Sequence, residues 1–389
     1  MFSERVKAIE ADLIRVRRHL HEYPELSFEE AGTTAFLAKE LEGLENVTLS
    51  FPTKTGLVAT LKGRREGTGR VIAFRADIDA LPIQEETGLS FASKVPGVMH
   101  ACGHDGHAAM QLEAVKLLDG EADQLCGEVR FLFQHAEEKP PGGAVQMFDA
   151  GVMSGVCELY GMHLSSSYDT GTFGIRPGAL TSATDRFEIR ISGTEGHSAF
   201  PEQCIDPVVT AAQVILGLQT IVSRRVAAAE PIVVSVCEVK AGNVYNVIPQ
   251  EVIITGATRT FSEKTRRELP EMMKQITGGI CAASGASFTL DFQKGYASVI
   301  NDPVLAAQSR SRVESIFGKE AAFDIGPLMP GEDFSALQRD CPAFFVELGA
   351  RSEKKGCTVP HHNRCYLMDE DALLYGVEYI YRTVKERLG

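Results

Sequence analysis

The chain has 389 residues, 44% of them apolar, and a formal net charge of −13. A single core rarely reaches that length, so two domains are expected, and the ordinary apolar content excludes general disorder. The acidic balance argues against nucleic acid or an anionic membrane as partner, because both need a basic face, and no apolar stretch approaches the roughly 20 residues that span a bilayer.

The opening segment, MFSERVKAIEADLIRVRRHL, mixes charges through an amphipathic helical pattern and lacks the apolar centre of a signal peptide. The nine cysteines (102, 126, 157, 204, 237, 281, 341, 357 and 365) form no C-x-x-C pair. An odd, dispersed set points to reduced thiols and a cytoplasmic location. Most read as small buried or surface residues, with Cys102 set apart by its neighbours.

Along the chain, short apolar runs end in chemically capable residues. Val71-Ile72-Ala73-Phe74 leads into Arg75-Ala76-Asp77-Ile78-Asp79, Val129 to Phe133 into the region of Glu137-Glu138, and Leu159 to Met162 into His163. Runs of this length bounded by breakers read as buried strands. A helical pattern, His107 to Leu118, lies between them, and the alternation indicates an α/β sheet whose reactive residues lie beyond the strands' carboxyl ends. From about 181 the texture changes to a half-exposed strand (Asp185 to Ser192), a helix (Pro207 to Arg225), strands at Ile232 to Val239 and Glu251 to Arg259, a helix (Ser262 to Ala283) and a strand (Ser287 to Phe292). This β-α-β-β-α-β order is the split βαβ, ferredoxin-like arrangement. The expected organisation is therefore an α/β catalytic domain over 1–180 and 296–389, interrupted by an inserted lid or dimerisation domain over 181–295. Pro342 to Leu348 offers a further buried strand, and Asp371 to Leu388 a closing amphipathic helix.

The densest chemistry is Ala-Cys-Gly-His-Asp-Gly-His at 101–107. Cys102 and His104 cannot share a helix face, but glycines would let them converge from a turn. Thiolate with imidazole suits zinc or another transition metal better than calcium or magnesium. His107, one helical turn on, reads as a helix-start or supporting histidine, and His100 similarly. Asp77 and Asp79 are either exposed loop acids or, for Asp79, an acceptor holding a ligand imidazole. Glu137 and Glu138 are adjacent and point in different directions, so one can bind metal while the other serves as base. In isolation they equally suit a solvated acidic loop. His163 and the pair His361-His362 complete a divided metal site.

RRHLHEYPELSFEE (17–30), FRADIDALP (74–82), MHACGHDGHAAM (99–110), HAEE, GMHL, EGHSAFP (195–201), NVIP (246–249), GEDFS (331–335) and HHN occur in that order. Over nearly the whole chain they resemble the dimetal amidohydrolases that include hippurate hydrolase, N-acyl-amino-acid deacylases and auxin-conjugate hydrolases, a branch of the aminoacylase and metallopeptidase family. The resemblance implies two divalent metal ions (zinc, manganese or nickel) held by Cys102, His104, Glu138, His163 and His362, with Cys102 in a position that bridging aspartate takes elsewhere. It implies Glu137 as catalytic base, His197 as a residue offered to a partner subunit's active site, and Asn246 and Arg259 as binders of the substrate carbonyl or carboxylate. It also implies a homodimer or higher homo-oligomer through the inserted domain. Two departures stand out: Ser198 and Glu202 replace a small residue and a histidine, and His362-Asn363 replaces H-x-P, so the choice of His362 over His361 rests on the spacing to Tyr366. The implied activity is hydrolysis of N-acyl (acetyl, benzoyl or similar) amino acids. The alternatives are a dipeptidase or carboxypeptidase with the same metals, and a non-catalytic metal- or ligand-binding relative. A structural zinc module would have a closed ligand set and no neighbouring base.

Overall fold

The apolar runs form one mixed sheet of eight strands. Its order is Val47–Ser50, Leu57–Lys62, Gly127–Gln134, Arg70–Asp77, Glu158–Asp169, Ala343–Arg351, Phe173–Ile175 and Ala322–Asp324. The central pairings are parallel: Arg70–Asp77 with Gly127–Gln134 and with Glu158–Asp169, and the latter with Ala343–Arg351. Parallel strands covered on both faces must be apolar almost throughout, which is why these runs are continuous rather than alternating. The helices His104–Asp119 and Asp371–Leu388 pack against this sheet, and their apolar side chains join its strands in one core that includes Phe74, Phe131, Leu112, Val115, Val346 and Val377. The computed structural model describes residues 2–67 and 69–389.

The chain divides into two units, one of Met1–Gly178, Ile300–Gly326 and Asp333–Gly389, the other of Ala179–Val299 and Pro327–Glu332. In the second unit the strands Ile232–Ala241, Glu251–Thr260, Ala183–Ser192 and Ser287–Lys294 form an antiparallel sheet in that order. Glu251–Thr260 thus separates the two strands that helix Pro207–Thr220 connects, which is the split βαβ pattern. The alternating burial of Ala183–Ser192 sends Phe187, Ile189 and Ile191 into a core shared with Val214, Leu218, Leu269 and Met273 of the helices Pro207–Thr220 and Glu263–Ser284. Local signals set the helix starts: the Asp206 carboxylate accepts from the amides of Val208 and Val209, and the Ser262 hydroxyl accepts from the amide of Thr265.

One expectation needs correction. His163 does not lie beyond a strand end: Glu158–Asp169 continues past it, paired with Ala343–Arg351 through Ser165↔Gly349. The apolar run stops at Met162, but the hydrogen-bond ladder does not, because partner-strand pairing and not hydrophobicity sets where a strand ends.

Candidate active site

The turn at 102–104 depends on Gly103, whose φ of 92° is left-handed and open to glycine at little cost. It delivers His104 as the first residue of a helix buried along almost its whole length, His104–Asp119. His104 Nδ1 lies 2.9 Å from the Asp79 carbonyl and 3.2 Å from Asp79 Oδ1. Both are acceptors, so Nδ1 carries the proton and Nε2 keeps its lone pair, and that buried nitrogen has no hydrogen-bond partner. His163 is prepared the same way: Nδ1 donates to the Leu164 carbonyl at 2.7 Å, and Nε2 lies 3.5 Å from Cys102 Sγ.

The glutamates follow strand Gly127–Gln134 through Ala136, which takes a left-handed φ of 51°. Glu30, fully buried, accepts the Ala136 amide at 2.8 Å and so secures this uncommon backbone. The Glu138 amide donates to Asp79 Oδ2 at 3.0 Å, and the Ser27 hydroxyl donates to the same oxygen at 2.7 Å. Asp79 therefore ties the His104 turn to the Glu138 turn. Glu138 Oε1 is 4.0 Å from His104 Nε2 and 3.1 Å from His362 Nε2, a close but misaligned approach that leaves this buried oxygen without a hydrogen bond. Glu137 is buried and turned away, its carboxylate within 4.8 Å of that of Asp333.

The donor atoms gather in overlapping groups, each within 4.8 Å: Cys102 with His104 and Glu138, Cys102 with His163 and His361, and Asp77 with His104 and His107. Cys102 belongs to two of them, the position of a ligand shared between two cations. The grouping is consistent with a binuclear divalent metal site. Not every histidine in it has a nitrogen to spare. His107 donates from Nδ1 to Asp77 Oδ1 at 2.6 Å and accepts the Leu164 amide on Nε2 at 2.8 Å, so both its nitrogens are used. His361 Nε2 accepts the Ser166 amide at 3.2 Å. His362, by contrast, is held at a left-handed φ of 61° with its amide on the Ala101 carbonyl at 2.8 Å, and turns its ring to Glu138.

The electrostatics favour a cation. Burial, then the Glu138, Glu137 and Asp77 carboxylates, push the Cys102 thiol up. Burial opposes charge on His104, but Asp77, Asp79 and Glu138 outweigh it and raise its pKa to about 10. The facing Glu138 carboxylate also raises His362, whereas burial and the neighbouring His107 hold His163 well below the usual range. Buried acceptors that lack donors cost on the order of 1–3 kcal/mol each. A divalent ion would satisfy His104 Nε2, Glu138 Oε1 and the Cys102 sulfur together, and these residue types fit one.

In the second unit, His197 and Asn246 are brought together on a short two-stranded ribbon, where His197 is exposed, pairs with Val247 and is followed by Ser198, whose amide donates to the Asn246 carbonyl at 3.1 Å. Arg259 is half-buried on strand Glu251–Thr260, its Nη1 donating to the Thr258 carbonyl at 2.9 Å. Sequence reasoning gave no role to several residues that shape the site. Arg75 Nη1 and Nη2 bind Asp77 and Asp333 at 2.7 and 2.8 Å, and Gln134 donates to Asp333 as well. Ser27, Glu30 and Asp333 all lie in recognised motifs, so the motif match was the available signal.

The family described as Peptidase family M20/M25/M40 matches residues 73–386. The chain belongs to this family. It is 51% identical over 296 residues (76% of this chain, 80% of the other) to the N-acyl-L-amino acid amidohydrolase of Geobacillus stearothermophilus. It is 41% identical over 374 residues (96% of each) to the N-acetylcysteine deacetylase of Bacillus subtilis (strain 168). Among solved structures, the Bacillus subtilis YXEP protein, described as a dinuclear metal binding peptidase from the M20 family, superposes with a TM-score of 0.87 at 38% identity, covering 98% of this chain and 99% of that one. This M20 protein is thus a dimetal hydrolase acting on amide bonds of amino-acid derivatives. Among the described residues no helix is long and apolar enough to cross a membrane.

Proposed function

We propose that this M20 hydrolase cleaves N-acyl amino acids to a carboxylate and a free amino acid, with Cys102, His104, Glu138, His163 and His362 as metal ligands and Glu137 as the base. The observation that carries the metal reading is the pair of buried, unpartnered atoms, His104 Nε2 and Glu138 Oε1, facing the same space as the Cys102 sulfur. Thiolate ligation favours zinc or nickel over manganese on softness. When bound, the divalent ions supply Lewis acidity, which lowers the pKa of a water and offsets charge growing on the scissile carbonyl. Glu137 takes the proton from the attacking water and passes it to the leaving amine. Its burial beside Glu138 excludes bulk water while leaving its oxygens turned away from the ligand carboxylate. Asp79 orients His104 through Nδ1 and holds the Glu138 backbone. Arg259 clamps the α-carboxylate of the amino-acid half in a fixed orientation, Asn246 binds substrate beside it, and His197 donates to the oxyanion of a partner subunit's substrate in a homodimer. These last three roles rest on the sequence match. A cytoplasmic setting agrees with nine free cysteines.

The M20 relative described as a peptidase keeps a dipeptidase or carboxypeptidase reading in view. Hydrolysis of N-acetyl and N-benzoyl amino acids against dipeptides by metal-reconstituted protein separates the two. The expected result is turnover of the N-acyl series at least about tenfold above the dipeptides; the reverse preference would overturn the assignment.

A further inference from the structure

Tyr366 follows the histidine pair, its amide donating to the Asn363 carbonyl at 2.9 Å. The ring is buried and meets the His361 ring edge to face, with centroids 4.9 Å apart and planes at 88°. Its hydroxyl points at the turn that carries the proposed ligands: the oxygen lies 3.2 Å from where a β-carbon on Gly103 would stand. That oxygen is buried and makes no hydrogen bond. An unpaired buried hydroxyl is unfavourable, so a native protein keeps one where a partner arrives later.

Two neighbours could be that partner. Asp105 is already saturated, by Arg17 Nε at 3.0 Å, His21 Nδ1 at 2.7 Å and the Gly106 amide at 2.9 Å. Cys102 is the other: burial first, and then Cys102 ahead of Asp105, keep the Tyr366 hydroxyl protonated and hence a donor. A thiol sulfur accepts hydrogen bonds weakly, whereas a thiolate accepts them as an ion.

We propose that Tyr366 is a positioning residue for the metal centre, its hydroxyl donating a hydrogen bond to the Cys102 sulfur once metal loading makes that sulfur a thiolate. The proposal rests on Cys102 being a ligand. The hydrogen bond draws electron density from the sulfur, leaves the bound cations more electron-poor, and fixes the sulfur's direction between them. It also accounts for glycine at 103 on a second ground, since a side chain there would occupy the hydroxyl's place.

The test compares the cobalt(II)-loaded protein with its Tyr366→Phe variant, which keeps the ring and removes only the oxygen. A hydrogen bond stabilises the sulfur lone pair, so its loss should shift the sulfur-to-cobalt charge-transfer band to longer wavelength and weaken cobalt affinity about tenfold. A sulfur-to-cobalt band in the parent protein that is unmoved in the variant would overturn the role of Tyr366 and leave Cys102 as a ligand. Absence of the band from the parent protein would overturn both. Should the variant not fold, the unaltered protein carries the same information: loading cobalt after exchange into D2O should shift the cobalt–sulfur stretch, and an unshifted stretch would count against the hydrogen bond.

Discussion

His104 shows how the site is prepared for a cation before one arrives. Asp79 fixes its tautomer and the surrounding carboxylates raise its pKa to about 10, while burial and those same carboxylates raise that of Cys102. Both groups are therefore protonated at neutral pH without metal, and both must lose a proton to bind it. The sign follows directly: affinity for divalent metal should rise with pH from 6 toward 9, by about tenfold per unit for each proton displaced. Titrating metal-free protein in buffers of different ionisation enthalpy would show the protons released; flat affinity across that range would exclude these two residues as ligands. Asp79→Asn should cost about 10- to 100-fold in metal affinity, because the amide cannot both accept the Ser27 and Glu138 hydrogen bonds and hold His104 Nδ1 as donor. Equilibrium dialysis against the parent protein measures it. At this scale much was legible. The Cys102-Gly103-His104 spacing and the paired glutamates announce metal and base chemistry by residue type alone. The Arg75–Asp77–Asp333–Gln134 network was not legible, because Asp333 lies far from the others in the chain and only the fold makes them neighbours.

Between elements, two contacts hold the metal turn in place. Helix Glu10–Glu22 presents Arg17 and His21 to Asp105, one residue past His104, and Arg17 also binds Glu370 at 3.2 Å. The pair Arg17–Asp105 is buried, so Arg17→Met should destabilise by about 3–5 kcal/mol by leaving a carboxylate unpaired. Arg18→Met should cost at most about 1 kcal/mol although it shares Glu370, since Arg18 stays 44% exposed and its ion pair is solvated. Denaturant unfolding of the metal-free proteins ranks the two, and equal losses would contradict the burial argument. Helix Asp371–Leu388 closes the other side, with Gly376 so near helix His104–Asp119 that an added β-carbon would stand 2.0 Å from Met110 Sδ. Gly376→Ala should cost about 1–3 kcal/mol through overpacking, although alanine is the better helix former, and Met110→Ala in the same chain should recover part of it. Periodicity found the closing helix at its observed bounds and the second unit's strands within a few residues. It missed the continuation of Glu158–Asp169 past His163, since pairing with Ala343–Arg351 leaves no mark in hydropathy.

The whole molecule adds a second unit whose outer elements carry apolar side chains. On helix Pro207–Thr220, Leu216 is 72% exposed, and Val208 and Val209 are exposed beside the helix start. Strand Ile232–Ala241 is an edge of its sheet with Val239 exposed, and Tyr245 is 97% exposed in the loop that follows. An open edge strand beside exposed leucine and valine is a surface that another copy of the chain would cover. If His197 serves a partner's site, mixing Glu137→Gln with His197→Ala subunits should restore activity, because each mixed dimer holds one intact site. No recovery despite demonstrated subunit exchange would confine His197 to its own subunit. The split between units was legible as a change from continuous apolar runs to alternating ones, because one sheet is covered on both faces and the other on one. What joins Glu137 to catalysis is the most exposed claim. Metal content and turnover of an N-acetyl amino acid should be measured together on Glu137→Gln: retained metal with turnover lowered at least about 100-fold is expected for loss of a general base, whereas retained metal with turnover within about tenfold of the parent would remove Glu137 from the chemistry.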